Sequence, residues 1–198
     1  MSVISSLIPG QHSGSEKNFF HHRSFLTEAA AHAQYEIARI RLLHVGCWHR
    51  IAGKASAVFF LFDKDEMMLN RAVQTGDYIR IGIPGPRSSS GHGFDWVYVE
   101  ALKQEEAAAG MRVRPCAPPG GGSVAHFLHD EATSTFAVWQ DGLQVWSAIF
   151  GRNEAPNIDQ TDTLLDKLRN LVVGATAIAG ASDAQWSALV KALIEDTN

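Results

Sequence analysis

The sequence predicts an α+β protein, namely a curved antiparallel sheet or partly open β-barrel with an N-terminal helix and a C-terminal helical hairpin. Three observations indicate this fold class. Short apolar segments bounded by turn residues recur through 35–150, as expected for strands. An Asp141-Gly142 pair joins two of them as a β-hairpin. Two amphipathic helical patterns follow within 161–196. From the strand signals and usual sheet sizes we expect about six to eight strands.

The composition excludes several classes of protein. The 198 residues are 45% apolar and carry 17 basic and 21 acidic side chains, for a net charge of −4. This balance provides no general attraction to polyanions, so we expect no nucleic-acid partner. No segment reaches the ~20 apolar residues of a membrane span, and the first ten residues lack a signal-peptide pattern. From this we expect no membrane contact. Two cysteines are too few for the disulfide framework of a small secreted domain, so we expect free thiols and a cytoplasmic location.

The domain prediction has two parts. Residues 1–23 mix small, polar and aromatic side chains without a clear period, which predicts a loosely ordered N-terminal segment. Residues 24–198 are expected to form one α+β domain. Its first helix follows Ser24, because apolar residues recur there at helical spacing. We interpret Tyr35–Val45 as a strand paired with Ala57–Phe62.

The middle of the chain is predicted as short alternating elements. The predictions are helical turns over Asp63–Val73, strands over Tyr78–Ile83 and Phe94–Ala101, a helix over Lys103–Ala109 ended by Gly110, and a strand over Met111–Pro115. The run Phe94–Ala101 is apolar on both faces, which is typical of a central strand.

The hairpin supplies the most detailed prediction. Asp-Gly suits a type I′ turn, and a two-residue loop at Asp141-Gly142 sets the register of the flanking strands. That register places Trp139 and Trp146 on the same face, diagonally across the two strands. The helices predicted over 161–180 and 182–194 are the obvious cover for one face of the sheet.

Polar residues at the predicted strand ends suggest a ligand site above the two tryptophans. The loop 84–93 and the segment 151–154 both follow strands and could converge there. The predicted ligand-binding residues are Trp139, Trp146, Arg87, His92, Arg152 and Glu154. Aromatic rings would supply apolar contact and arginine a charge complement for a small organic anion or a peptide segment. In the alternative arrangement, the C-terminal helices bury both tryptophans and the loops are solvated.

A second set of residues is compatible with a metal. His126 and His129 stand three residues apart, beside Asp130 and Glu131. Imidazole and carboxylate groups are zinc and iron ligands, and positions three apart share one face of a helix. On a strand the two histidines would point to opposite faces, and the site would not form. The pattern also lacks the five-residue spacing of HExxH.

Two stretches resemble an uncharacterised family of bacterial proteins. They are GDYIRIGIPGP with GFDWVYVE, at 76–86 and 93–100, and TSTFAVWQDG with GRNEAPN, at 133–142 and 151–157. The resemblance covers about a quarter of the chain and implies a β-rich bacterial domain. It carries over no catalytic residue.

The functional prediction follows from two observations: the strands and helices are clearly predicted, but the sequence shows no complete set of catalytic residues. We expect a non-catalytic binding or assembly module, without a cofactor, for a small anionic ligand or a protein partner. The alternative is a small zinc- or iron-dependent enzyme that uses His126, His129 and the nearby carboxylates. We also expect a homodimer, because small residues allow close helix approach in the predicted first C-terminal helix and just after it. They are Gly174, Ala175, Ala177, Ala179 and Ala181.

Overall fold

The computed structural model describes residues 2–53, 57–82, 94–155, 157 and 183–196. The strands are β1 (Ser15–Ser24), β2 (Val58–Phe62), β3 (Met68–Leu69), β4 (Tyr78–Gly82), β5 (Asp95–Glu105), β6 (Ala108–Pro115), β7 (Thr133–Asp141) and β8 (Gln144–Glu154). They form one eight-stranded sheet in the order β1-β8-β7-β6-β5-β4-β2-β3, with antiparallel neighbours. The helices are α1 (Ser2–Ser5), α2 (Glu28–Leu43), a 3-10 turn (Val45–Cys47), α3 (Trp48–Ile51) and α4 (183–194).

The two faces of the sheet differ in what covers them. The inner face packs against α2 and α4, and its side chains form the main hydrophobic core with Leu42 of α2 and Leu193 of α4. The outer face carries two smaller apolar clusters, one around Trp139 and one around Trp96. Because side chains alternate along a strand, neighbouring residues of β4 and β5 contribute to opposite faces.

The fold class is confirmed. The sheet is antiparallel, curved and unclosed, with eight strands in the described residues, a helix in the N-terminal region and a helix at the C-terminal end. The helix predicted over 161–180, and Ser182 at the predicted start of the next, lie outside the described residues. No helix in the described ranges is long and apolar enough to cross a membrane.

The N-terminal segment is not loosely ordered throughout, since residues 15–24 form the edge strand β1, paired with β8. Its alternation was hidden because polar residues occupy both faces. On the inner side they meet the C-terminal end of the chain: Lys17 contacts Asp183 at 2.6 Å, and His21 contacts Glu195 at 2.9 Å.

The strand predicted over 35–45 is wrong, because most of this segment belongs to α2. Tyr35, Ala38 and Leu42 recur at helical spacing and are fully buried on the inner face. The helix begins after Thr27 rather than Ser24, since the Thr27 hydroxyl accepts a hydrogen bond from the Ala30 N–H at 3.1 Å. β2 therefore pairs with β4 on one side and with β3 on the other.

Two segments predicted as helical, 103–109 and 63–73, form strands and turns instead. Residues 103–109 continue β5 into a hairpin with β6, where Lys103 pairs with Gly110. Helix propensity is a weak preference, and strand pairing overrides it here. In 63–73, the Asp63 carboxylate accepts hydrogen bonds from the N–H groups of Asp65 and Met67, both at 2.9 Å, which forms a turn before β3.

The predicted β7–β8 hairpin forms with a different register. Asp141 pairs with Gln144, so the two loop residues are Gly142 and Leu143. Gly142 has a φ of 56° at the first loop position, where a type II′ turn takes glycine, whereas type I′ would require two positive φ angles. As a result, Trp139 lies directly opposite Trp146 rather than diagonally.

Candidate functional site

The tryptophan pair lies on the outer face, opposite the side covered by α2 and α4. The rings of Trp139 and Trp146 are stacked 5.8 Å apart with 3° between their planes. Trp139 is 5% exposed. Among the described residues, the cover comes from the N-terminal segment, through Val3, Ile4 and Ile8. Trp139 is thus covered by another part of the chain, whereas Trp146 is half-buried.

Asn153 fixes this N-terminal cover to the end of β8. Its side-chain oxygen accepts hydrogen bonds from the N–H groups of His12 and Ser13, at 2.7 and 3.1 Å. Its amide nitrogen donates to the Gly10 carbonyl at 3.1 Å, and its own N–H donates to Gln11 at 3.0 Å. The φ of 55° at Asn153 is tolerated because asparagine adopts the left-handed region more readily than most residues.

Two of the four predicted rim residues, Arg152 and Glu154, are described by the structure, at the end of β8. Arg152 contacts Glu16 at 3.2 Å and the side-chain oxygen of Asn18 at 2.8 Å. Burial raises the pKa of Glu154, and the nearby Lys17 opposes this rise. Arg87 and His92 lie outside the described residues.

The residues of the metal hypothesis also have separate contacts. His126 Nδ1 accepts a hydrogen bond from the Leu128 N–H at 3.0 Å, and burial lowers its pKa. His129 lies 2.6 Å from Asp130, while Glu131 contacts the Ser13 hydroxyl at 3.3 Å. Within the described ranges, no three His, Cys, Asp or Glu side chains are grouped closely enough to hold a metal ion.

Both cysteines are free. Burial raises the pKa of Cys116 to about 12, so its thiol stays protonated at neutral pH.

A row of side chains on the inner face ends in a buried carboxylate. Phe59 of β2 pairs with Ile81 of β4, which pairs with Asp95 of β5. Asp95 is 6% exposed, and its Oδ2 has no hydrogen-bond partner among the described residues. Burial raises the pKa of Asp95 to about 6, and a hydrogen bond from the Phe127 backbone acts in the opposite direction. We call Phe59, Ile81 and Asp95 the inner row.

Aromatic side chains continue the inner row toward the helices. Trp186 of α4 lies 6.3 Å from the ring of Phe59 and 5.5 Å from that of Phe136. Trp48 contacts the same two phenylalanines at 5.2 and 4.8 Å. The inner row thus combines an apolar and aromatic wall with one unpaired carboxylate oxygen.

The adjacent row faces the opposite side of the sheet. Phe60 pairs with Arg80, and Arg80 pairs with Trp96. The Arg80 guanidinium lies 4.9 Å from the ring centre of Phe60, 4.7 Å from Phe62 and 4.5 Å from Phe94. We call Phe60, Arg80 and Trp96, together with Phe62 and Phe94, the outer row.

The outer row has buried donors without acceptors. Arg80 Nε and Trp96 Nε1 are both buried and lack a hydrogen-bond partner in the part of the chain that the structure describes. No carboxylate of the described residues forms an ion pair with Arg80. Neither row was recognised from the sequence, although a signal existed: Arg80 is the single charge of the run Tyr78–Ile83, and Asp95 is an acidic residue within the largely apolar run Phe94–Ala101.

No family model matches the chain, and no curated protein matches it, so the resemblance to an uncharacterised bacterial family stays a prediction. Among solved structures, a hypothetical protein of Helicobacter pylori is similar with 14% identity and a TM-score of 0.54, covering 94% of this chain and 91% of that one. The Zhui aromatase/cyclase of a Streptomyces species aligns with 9% identity and a TM-score of 0.44, over 90% and 94% of the two chains. Norcoclaurine synthase of Thalictrum flavum, solved with dopamine and hydroxybenzaldehyde, aligns with 9% identity and a TM-score of 0.45, over 97% of each chain. The likeness to the Helicobacter pylori protein shows a shared fold. In this chain, the fold is a curved antiparallel sheet packed against a C-terminal helix.

Proposed function

We propose that this protein binds a small, largely apolar organic molecule on the inner face of the sheet, beside the inner row. The observation that carries the proposal is Asp95, a carboxylate that is 6% exposed with an oxygen lacking a hydrogen-bond partner among the described residues. Buried polar groups in proteins are nearly always paired. A ligand that donates a hydrogen bond to Asp95 would supply the missing partner.

The surroundings of Asp95 define the chemistry of this ligand. Ile81 and Phe59 continue its row as apolar neighbours, and Trp186 of α4 lies against Phe59. Small-molecule sites are typically apolar walls with a few polar groups that fix the ligand's orientation. The ligand is therefore an apolar or aromatic molecule with a hydroxyl or amine group directed at Asp95.

The charge of Asp95 argues against an anion at the inner row. The pKa of about 6 leaves the carboxyl mainly ionised at neutral pH, and a second buried negative charge would add a large electrostatic cost. The small anionic ligand expected from the sequence does not suit this face. A homodimer stays a prediction, because residues 174–181, on which it rests, lie outside the described residues.

Two probes that differ in one donor test the proposal. Naphthol offers a hydroxyl donor, whereas methoxynaphthalene has nearly the same shape without it. We expect naphthol to bind more tightly and to shift the NMR signal of the Trp186 indole N–H. Asp95→Val should weaken naphthol binding by at least about tenfold, since a hydrogen bond to a charged group is lost.

Asp65→Val is the matched control, because the Asp65 side chain is 68% exposed and lies outside the inner row. This variant should bind naphthol like the unaltered protein. The proposal is contradicted if both probes bind equally, if Asp95→Val binds naphthol with full affinity, or if neither probe binds at millimolar concentration.

A further inference from the structure

Three features of the outer row concern Arg80, a half-buried arginine. The Arg80 guanidinium lies within 5 Å of three aromatic ring centres, it has no carboxylate partner among the described residues, and its Nε is buried without an acceptor. The indole N–H of Trp96, directly opposite on β5, is also buried and has no acceptor among the described residues. Leaving a buried donor unpaired costs free energy, so two adjacent ones on one face mark a position for an acceptor.

We propose that the outer row is a second binding site, specific for a small aromatic carboxylate. The carboxylate would accept hydrogen bonds from Arg80 Nε and Trp96 Nε1, and the ligand's ring would pack among Phe60, Phe62 and Phe94. This site is independent of the inner row, because Arg80 and Trp96 face away from α2 and α4.

The charges on the outer row favour an anion over a neutral molecule. Arginine next to aromatic rings keeps its positive charge, and its planar group suits a carboxylate. Farther along the outer face, Arg112 and Arg114 both form ion pairs with Glu100, with Arg112 at 2.7 Å. Arg80 differs from these two arginines in having no carboxylate partner among the described residues.

Access to the outer row is consistent with a ligand. Arg80, Phe60 and Phe94 are each half-buried, so an edge of the row reaches the surface. The deeper side is closed by Phe62, Trp96 and Ala125, which form a buried apolar cluster. A ligand would therefore meet an aromatic wall with the two donors at its base.

The test uses naphthoate and its neutral isostere naphthamide, with binding followed by calorimetry and by the NMR signals of the five tryptophan indole N–H groups. We expect naphthoate to bind more tightly than naphthamide and to shift the Trp96 signal most. Arg80→Met keeps a similar length without the charge and should weaken naphthoate binding by at least about tenfold. Trp96→Phe keeps a ring without the donor and should weaken binding by a smaller factor.

Arg112→Met is the matched control, since it removes an outer-face arginine that already has a partner. This variant and Asp95→Val should bind naphthoate unchanged, whereas Arg80→Met should still bind naphthol. The proposal is overturned if Arg80→Met, shown to be folded by its thermal midpoint, binds naphthoate with full affinity. It is also overturned if naphthamide binds equally well, if the main shift falls on Trp139 or Trp146, or if naphthoate does not bind.

Discussion

Two aspartates associated with strands β4 and β5 are buried to almost the same extent but are paired differently. Asp77, just before β4, is 5% exposed, and Asp95, at the start of β5, is 6% exposed. Asp77 accepts two hydrogen bonds from Arg71, at 2.7 and 2.8 Å, and one from the Gln74 N–H at 2.8 Å. The Oδ2 of Asp95 has no such partner among the described residues.

The nearby arginines show the same contrast. Arg71 forms a bidentate pair with Asp77, and this hydrogen bond is the first cause of its raised pKa. Arg80, three residues after Asp77, is surrounded by aromatic rings instead. Burial alone therefore does not distinguish a structural charge from one available to a ligand, whereas the hydrogen-bond partners do.

The largest expected effect is on the paired charges. Arg71→Met would leave Asp77 buried without its partner, and we expect the free energy of unfolding to fall by about 3 kcal/mol. This value is at the low end for broken buried pairs, because the Arg71 side chain is 36% exposed. Urea denaturation at neutral pH measures it. A loss below about 1 kcal/mol would remove the distinction between the paired Asp77 and the partly unpaired Asp95.

A smaller, pH-dependent effect is expected at Asp95. Its pKa is raised from 3.8 to about 6, so the folded state holds this proton more strongly than the unfolded state does. The resulting stability is present at low pH and is lost as the pH rises from about 4 to about 6. Asp95→Asn should abolish this loss and should stabilise the protein at pH values above 6, by less than the ~3 kcal/mol that corresponds to the full change in pKa.

Asp77→Asn is the matched control for that experiment. The same substitution at an equally buried aspartate breaks the pair with Arg71, so we expect it to destabilise the protein at neutral pH. Denaturation curves of both variants across pH 4 to about 8 would compare them directly. If Asp95→Asn and Asp77→Asn destabilise the protein alike, Asp95 is a structural residue.

The smallest effect is expected at Arg80. Arg80→Met removes no ion pair among the described residues, and a long apolar side chain can replace its packing against the rings. We expect the free energy of unfolding to change by less than about 1 kcal/mol. A loss as large as that of Arg71→Met would show that Arg80 stabilises the folded protein itself.

The sequence allowed the strands with clean alternation to be predicted, and these include Tyr78–Gly82 and the β7–β8 hairpin. It did not allow β1 to be recognised, because polar side chains on its inner face are paired by a distant segment, as Lys17 is by Asp183 and His21 by Glu195. The segment 103–109 has helical propensity, yet pairing with β6 decides its structure. Local preference fails where distant contacts are stronger.

The candidate site was harder to predict for a related reason. Trp139 and Trp146 were recognised as one aromatic pair, but their cover depends on Asn153 holding residues 10–13, a contact across most of the chain. Arg80 and Asp95 stood within apparently ordinary strands. That each has a polar atom without a partner among the described residues can be seen only in the folded structure.

The proposed ligand site depends on Asp95 being buried with one carboxylate oxygen unpaired, and the pKa of Asp95 reports this directly. Carbon-detected NMR can follow its carboxyl signal during a pH titration of the ligand-free protein, with Asp95→Asn used to assign the signal. We expect a pKa of about 6 for Asp95. A pKa at or below the ordinary value of 3.8 would contradict it, since a donor within the protein would then already stabilise the charge.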